Sequence, residues 1–227
     1  PPGYVSDVEV YGAYAYVVGG NYGMRVVDVS NPEALVEVSF VPLPFKELAM
    51  VASGDYVYGF SDVGGWVVDV TNPADPILVT SLGGADVRSM TISQNLVYVI
   101  SGSYSIYLDI YDVSTPAVPI WVGGYSVSGV EAGYGWGLTV SDGYAYTADG
   151  TSGLRVVDVS DPANPEAVGL LVAPVLVASD TFFDVAVSGA YGYVASKFGG
   201  IRVVGVSNPS APVEVGGYNT ATVAYGV

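Results

Sequence analysis

RVVDVSDP, at Arg155–Pro162, is one of five versions of the same phrase. RVVDVSNP stands at Arg25–Pro32, WVVDVTNP at Trp66–Pro73, DIYDVSTP at Asp109–Pro116 and RVVGVSNP at Arg202–Pro209. The closing prolines, Pro32, Pro73, Pro116, Pro162 and Pro209, fall 41, 43, 46 and 47 residues apart. A period of that size marks a repeat architecture, whose units bury their apolar faces only by stacking on neighbours. The chain of 227 residues is therefore read as one repeat domain, 1–227.

After each phrase comes a second proline three residues on, at Pro76, Pro119, Pro165 and Pro212, with Leu35 in that place in the first unit. An alternating segment follows: LVEVSF, ILVTSL, IWVGGY, EAVGLL, VEVGGY. Before each phrase lies a Gly-rich loop and, before that, a segment with a repeated tyrosine: YAY at Tyr14–Tyr16, YVY at Tyr56–Tyr58, LVY at Leu96–Tyr98, YAY at Tyr144–Tyr146, YGY at Tyr191–Tyr193. Residues two apart in a strand share a face, so the tyrosines form a stripe suited to packing between units. A turn such as Ser53-Gly54-Asp55 or Ser141-Asp142-Gly143 joins this segment to an earlier short strand, VEV at Val8–Val10 in the first unit. No window carries a helical period.

Each unit thus reads as four antiparallel strands in 40–47 residues, which describes a blade of a β-propeller. The expected fold is all-β: five four-stranded blades, with part of a larger six- or seven-bladed ring as the alternative. The repeats run approximately over 7–48, 49–88, 89–136, 137–183 and 184–221. Residues 222–227 open a further one, because YNTATVAYG at Tyr218–Gly226 resembles YVSDVEVYG at Tyr4–Gly12. The VVDVSNP strand and turn, preceded by hairpins of the VAVSG-x-YGYVA kind (Val185–Ala195), resemble the LVIVD-repeat family. That resemblance implies a propeller and a secreted or cell-surface protein of bacteria or archaea. It carries over no catalytic residue. Gly205 and Tyr111 depart from the VVDV pattern in the fifth and third units.

Composition bounds the function. Hydrophobic residues make up 51% and charged ones 12%, against about 25% charged in an average globular domain. Cysteine and histidine are absent, which removes disulfides, thiolate nucleophiles, Ser-His-Asp triads and ordinary zinc sites. Six basic residues stand against 22 acidic ones, for a net charge of −16. That balance argues against nucleic acid or an anionic membrane as partner. The longest apolar run, Ala167–Ala178, has 12 residues and contains Gly169 and Pro174, short of the roughly 20 a helical span needs, so no membrane insertion is expected. The start, PPGYV, has the look of a mature or trimmed form.

The recurring Asp28, Asp69, Asp112 and Asp158 are read as acceptors for backbone N–H groups in their own turns rather than as metal ligands. No cofactor is expected; calcium is the alternative, without the dense ligand pattern it needs. Recognition is expected on loops that differ between units. Phe45, Tyr134, Trp136, Phe182 and Phe183, with Glu47, Arg88, Glu131 and Asp184, compose a candidate aromatic floor for a glycan or an extended peptide. Tyr22, Trp66, Tyr104 and Phe198 come from the loops before the repeated phrase. A second candidate surface, for a protein partner, is the apolar stretch with Leu170, Leu171, Val175, Leu176 and Val177.

The expected function is a non-enzymatic, extracellular or surface-displayed binding module with a protein or glycan partner. A structural subunit of a larger extracellular assembly is the alternative. A glycoside hydrolase is a more distant one, because no motif selects two carboxylates among Asp7, Glu47, Asp86, Glu131, Asp180 and Asp184.

Overall fold

The computed structural model describes residues 4–19, 23–44, 47–61, 64–82, 87–102, 105–127, 137–173 and 180–227. Among them are twenty strands and no helix. Sheet 1 comprises β1 (Val5–Tyr11), β2 (Tyr14–Gly19), β3 (Gly23–Asp28) and β4 (Val36–Pro42), and sheet 2 comprises β5 (Glu47–Ser53), β6 (Tyr56–Ser61), β7 (Gly65–Asp69) and β8 (Ile77–Leu82). Sheet 3 holds β9 (Val87–Ser93), β10 (Leu96–Ser101), β11 (Ile106–Asp112) and β12 (Ile120–Val127). Sheet 4 holds β13 (Leu138–Ser141), β14 (Tyr144–Ala148), β15 (Leu154–Asp158) and β16 (Glu166–Leu171), and sheet 5 holds β17 (Phe182–Ser188), β18 (Tyr191–Ser196), β19 (Gly200–Gly205) and β20 (Val213–Tyr218). Each sheet is a four-strand meander in chain order, as the repeated phrase predicts.

The same bonds build every unit. The residue after the phrase's aspartate position donates its N–H back to the hairpin turn: Val29 to Ala13 O, Val70 to Asp55 O, Val113 to Asn95 O, Val159 to Gly143 O and Val206 to Ala190 O, at 2.8–2.9 Å. The turn itself is held by Asp28, Asp69, Asp112 and Asp158. Their carboxylates accept the N–H of Ser30, Thr71, Ser114 and Ser160 at 2.8, 2.8, 2.7 and 2.9 Å. These recurring acids therefore close turns, and where the fifth unit has Gly205 the backbone bond from Val206 remains.

The Ser30 hydroxyl and then its amide hold the Asp28 carboxyl below the usual carboxylate range. Asp158 is lowered in the same order by Ser160, and Asp112 by the Ser114 amide first and then its hydroxyl. A lowered folded pKa means these bonds are intact above the unfolded value and are lost as pH falls through the folded one. The amide resonances of Ser30, Ser114 and Ser160 are therefore expected to titrate with midpoints below an unperturbed aspartate's, which is about 3.9. Midpoints at or above that value would show that the turns do not depend on the carboxylates.

Hairpin turns use the left-handed region. Gly12, Gly54 and Gly189 have φ of 62°, 58° and 57°, with no atom within 4 Å of where a Cβ would sit, so glycine serves the backbone there rather than the space. Further out, the third and fourth strands slip register by one bulge at Val26/Val27, Val67/Val68, Val156/Val157 and Val203/Val204. A bulge increases the local twist. The small residue opposite the bulge then meets the Pro turn of the next sheet: the Ser39 hydroxyl donates to Pro73 O at 2.6 Å, and a Cβ on Gly169 would lie 2.1 Å from Pro209 O. Gly123 stands in the same relation to Pro162, at 2.3 Å.

The chain forms two compact units, Pro1–Val97 with Asp112–Ile120, and Tyr98–Tyr111 with Trp121–Val227; the strands of sheet 3 are divided between them. The core of the first is made by Tyr16, Met24, Val26, Met50, Val57, Trp66 and Val68. That of the second is made by Tyr146, Leu154, Val156, Phe182, Val194 and Val204. Both phrase valines are fully buried in sheets 2 and 4, at Val67, Val68, Val156 and Val157, whereas Val27 and Val203 are half-buried. The second tyrosine of each pair is core at Tyr16, Tyr58, Tyr98 and Tyr146, and burial pushes the Tyr58 hydroxyl up to about 12.

Candidate functional site

At or just past the end of the second strand in sheets 2, 4 and 5, a polar residue ties the loop that leads into the phrase. In sheet 2 it is Ser61, whose hydroxyl donates to Gly64 O at 2.8 Å. In sheet 4 it is Asp149, buried, which accepts from the Thr147 hydroxyl and from Arg155 Nε, each at 2.6 Å. Burial pushes the Asp149 carboxyl above its ordinary range, while the Thr147 hydroxyl and the Arg155 guanidinium pull against that rise. In sheet 5 it is Ser196, whose hydroxyl donates to both oxygens of the buried Asp180 at 2.7 Å.

Asp180 also accepts the N–H of Thr181 at 3.0 Å and of Phe198 at 3.1 Å. Arg202 Nη2 lies 3.2 Å from its Oδ2, and Arg202 Nη1 lies 2.8 Å from Glu214 Oε1. The guanidinium is thereby fixed between two carboxylates. Its Nε is buried and has no acceptor among the described residues. Beside it opens a groove of about 350 Å³ between Phe198, Arg202, Glu214, Tyr218 and Asn219. A second hollow, of about 330 Å³, shares Phe198 and Asn219 and continues over Lys197 and Thr222. Phe198 and Tyr218 are 44% and 72% exposed, so both rings are available to a ligand. The Lys197 ammonium stands 5.1 Å from the centre of the Phe198 ring.

Chemically the arrangement is suited to holding a ligand. It offers two exposed rings and a fixed cation–carboxylate pair, whereas the buried Asp180 and Asp149 already receive donors from their own chain. Both acids are bonded to residues of their own sheets and loops.

The candidate residues read from the sequence fall in several places. Phe182 is fully buried in the core of the second unit, so its ring serves packing and is not presented to a ligand. Phe183 is half-buried and stacks on Tyr225 at 5.1 Å between ring centres. Asp184 accepts the N–H of Val185 at 2.9 Å and of Val227 at 3.1 Å. It repeats the bonds of Asp7, which accepts from Val8 and Met50, both at 2.8 Å. These two acids fasten neighbouring stretches of chain together. Arg88 is half-buried on β9, and Glu47 opens β5. Leu170 is 42% exposed on β16 while Leu171 packs on the core. Trp66 is fully buried on β7 and not part of a loop surface. Phe45, Glu131, Tyr134, Trp136, Val175, Leu176 and Val177 lie outside the described residues, as do Tyr22 and Tyr104.

Of the loop aromatics among the described residues, Phe198 alone falls in the groove. Its companions Arg202 and Glu214 were not singled out in the sequence. A signal for them exists: an acid follows the first arginine of the phrase by twelve residues at Arg25/Glu37 and again at Arg202/Glu214. Asp180 carries no such mark, being tied to residues 16 to 22 positions away.

No curated protein matches the chain in sequence. Solved structures resemble it in shape. A protein from Lactobacillus plantarum superposes with a TM-score of 0.78 at 13% identity, covering 95% of this chain and 71% of that one. The periplasmic gluconolactonase of Pseudomonas aeruginosa gives 0.74 at 14% identity, covering 93% and 71%. A computationally designed protein, Ika8, gives 0.70 at 11% identity, covering 98% and 64%. At such identities the likeness speaks for the fold alone, and that fold is an all-β propeller type built from four-stranded blades. The LVIVD repeat matches residues 2–41, 49–82, 132–171 and 183–220. Those stretches make up more than half of the chain and leave out the whole of sheet 3, and on that match the chain belongs to the LVIVD-repeat family.

Proposed function

We propose that this chain is a non-enzymatic binding module displayed outside the cell, and that its ligand, a glycan or an extended peptide, lies along the groove between Phe198 and Tyr218. The observation that carries the reading is the pairing of two exposed rings with the immobilised Arg202–Glu214 pair, which supplies stacking and directed hydrogen bonding in one place. The secreted or surface-displayed setting that the resemblance implies is compatible with the absence of cysteine and the net charge of −16. The likeness to a gluconolactonase, at 14% identity, brings the fold and not the chemistry, and the buried Asp180 beside the groove already receives donors from its own sheet.

Binding to glycan and peptide arrays tests this. Wild type is expected to retain a defined ligand set, with Phe198→Ala and Tyr218→Ala each weakening it at least tenfold while the far-ultraviolet circular dichroism stays unchanged. Unaltered binding in both variants would move the ligand elsewhere. Turnover of gluconolactone or of chromogenic glycosides by wild type would replace the reading with an enzymatic one.

A further inference from the structure

One face of sheet 3 departs in its chemistry from the matching face of sheets 1 and 5. Arg25 and Arg202 open the repeated phrase in sheets 1 and 5, and each closes across to an acid twelve residues later. The distances are 2.6 Å for Arg25–Glu37 and 2.8 Å for Arg202–Glu214. The Arg25 guanidinium also lies 5.1 Å over the Phe40 ring. In sheet 3 the corresponding pair is Asp109 and Trp121. They are again twelve residues apart and again bonded, the indole Nε1 donating to Asp109 Oδ1 at 2.8 Å. Gly124, three residues beyond Trp121, stands where Phe40 stands three beyond Glu37.

The exchange removes the cation and keeps what a cation binds. Trp121 is 56% exposed and Tyr107 is 47% exposed. Tyr107 and Asp109 share the outward face of β11, while Ile106, Leu108 and Ile110 are buried on the other. Between Tyr107, Asp109, Trp121 and Tyr125 runs a groove of about 200 Å³. A Cβ at Gly124 would come within 2.8 Å of Leu108 O and 3.1 Å of Asp109 Oδ1, so the glycine keeps the carboxylate uncrowded. The Trp121 bond fixes the indole as a platform and occupies Oδ1, leaving Oδ2 to accept.

We propose that this groove takes an arginine side chain from a partner polypeptide, its guanidinium stacked on Trp121 and Tyr107 and paired with Asp109. The partner supplies from outside the cation that Arg25 and Arg202 supply within their own sheets. A planar guanidinium matches both surfaces, ring and carboxylate, better than an ammonium does. The net charge of −16 draws a basic segment toward the chain, which itself has only six basic residues. This site is separate from the Phe198 groove and stands whether or not that groove binds a ligand.

Titration calorimetry with a tri-arginine peptide tests it, with the tri-citrulline peptide as the neutral match of the same shape. Wild type is expected to bind tri-arginine saturably and tri-citrulline at least tenfold more weakly. Asp109→Asn and Trp121→Ala are each expected to lose at least tenfold. Asp75→Asn, which removes the same charge from an exposed turn of the other compact unit, should change affinity less than twofold. The double change Asp109→Arg with Trp121→Glu installs the ion pair of sheets 1 and 5 and should abolish binding with the circular dichroism intact. Equal losses in Asp109→Asn and Asp75→Asn would reduce the effect to overall charge and overturn the proposal. So would binding of tri-citrulline equal to that of tri-arginine, the absence of saturable binding, or a neutral oligosaccharide that binds this groove where tri-arginine does not.

Discussion

Trp66→Ala is expected to destabilise the first compact unit by about 3–5 kcal/mol, the range for emptying a buried aromatic site. Trp66 is the largest of the fully buried side chains, and it lies on a surface made for it. Directly across the β6–β7 ladder stands Gly59, where a Cβ would sit 2.1 Å from Trp66 Cζ2. The indole therefore occupies the space that a side chain on the neighbouring strand would need. Gly59→Ala is correspondingly expected to cost about 1–3 kcal/mol through overpacking. Combined with Trp66→Phe it should cost less than the sum of the two changes, because the smaller ring vacates the clash. Trp66→Phe alone also removes Nε1, a buried donor with no acceptor among the described residues, which offsets part of the lost packing. Urea unfolding followed by circular dichroism measures all four proteins. A loss below about 1 kcal/mol for Trp66→Ala would mean that the site collapses without harm.

Trp66 also shows where reading the sequence stops. Its position before VVDV marks it as a loop aromatic, like Phe198, and nothing local distinguishes the two. What separates them is Gly59 on one side and Gly199 on the other. Gly59 yields its space to the indole, whereas a Cβ on Gly199 would lie 2.1 Å from Arg202 Nε, so that glycine makes room for the guanidinium instead. The turns closed by the phrase's aspartates were legible, because each bond spans two residues and recurs at Asp28, Asp69, Asp112 and Asp158. Features that join units were not, since their partners are distant. Asp7 reaches Met50 and Asp184 reaches Val227, each 43 residues on. Copies that look alike in sequence also differ by what covers them. Tyr193 is 37% exposed where Tyr16, Tyr58, Tyr98 and Tyr146 are at 3–4%, and Val8 is 53% exposed where Met50 is at 2%. Gly216 repeats the place of Gly169 opposite the bulge, but nothing lies within 4 Å of its Cβ position. Sheets 1 and 5 thus retain faces that their counterparts bury, a distinction no repeat pattern encodes.

Arg155→Leu is expected to cost about 3–5 kcal/mol, the price of leaving a buried charge without its partner. The Asp149 side chain is 0% exposed and that of Arg155 12%, so solvent screens the pair little. Without the guanidinium the Asp149 carboxylate would keep the Thr147 hydroxyl but lose its cation, and its pKa, already raised by burial, would rise further. A raised carboxyl pKa means that the folded state binds the proton more tightly than the unfolded chain does. Stability in the variant should therefore increase as pH falls from above the raised folded value toward the unfolded one. The gap between variant and wild type should be widest at neutral to alkaline pH and narrow on acidification. Adding Asp149→Asn to Arg155→Leu removes the charge altogether, and it should recover much of the loss at neutral pH and flatten the pH dependence. A loss that is the same at every pH, or that the second substitution fails to relieve, would locate the cost in the packing of the Arg155 stem instead of in the stranded carboxylate.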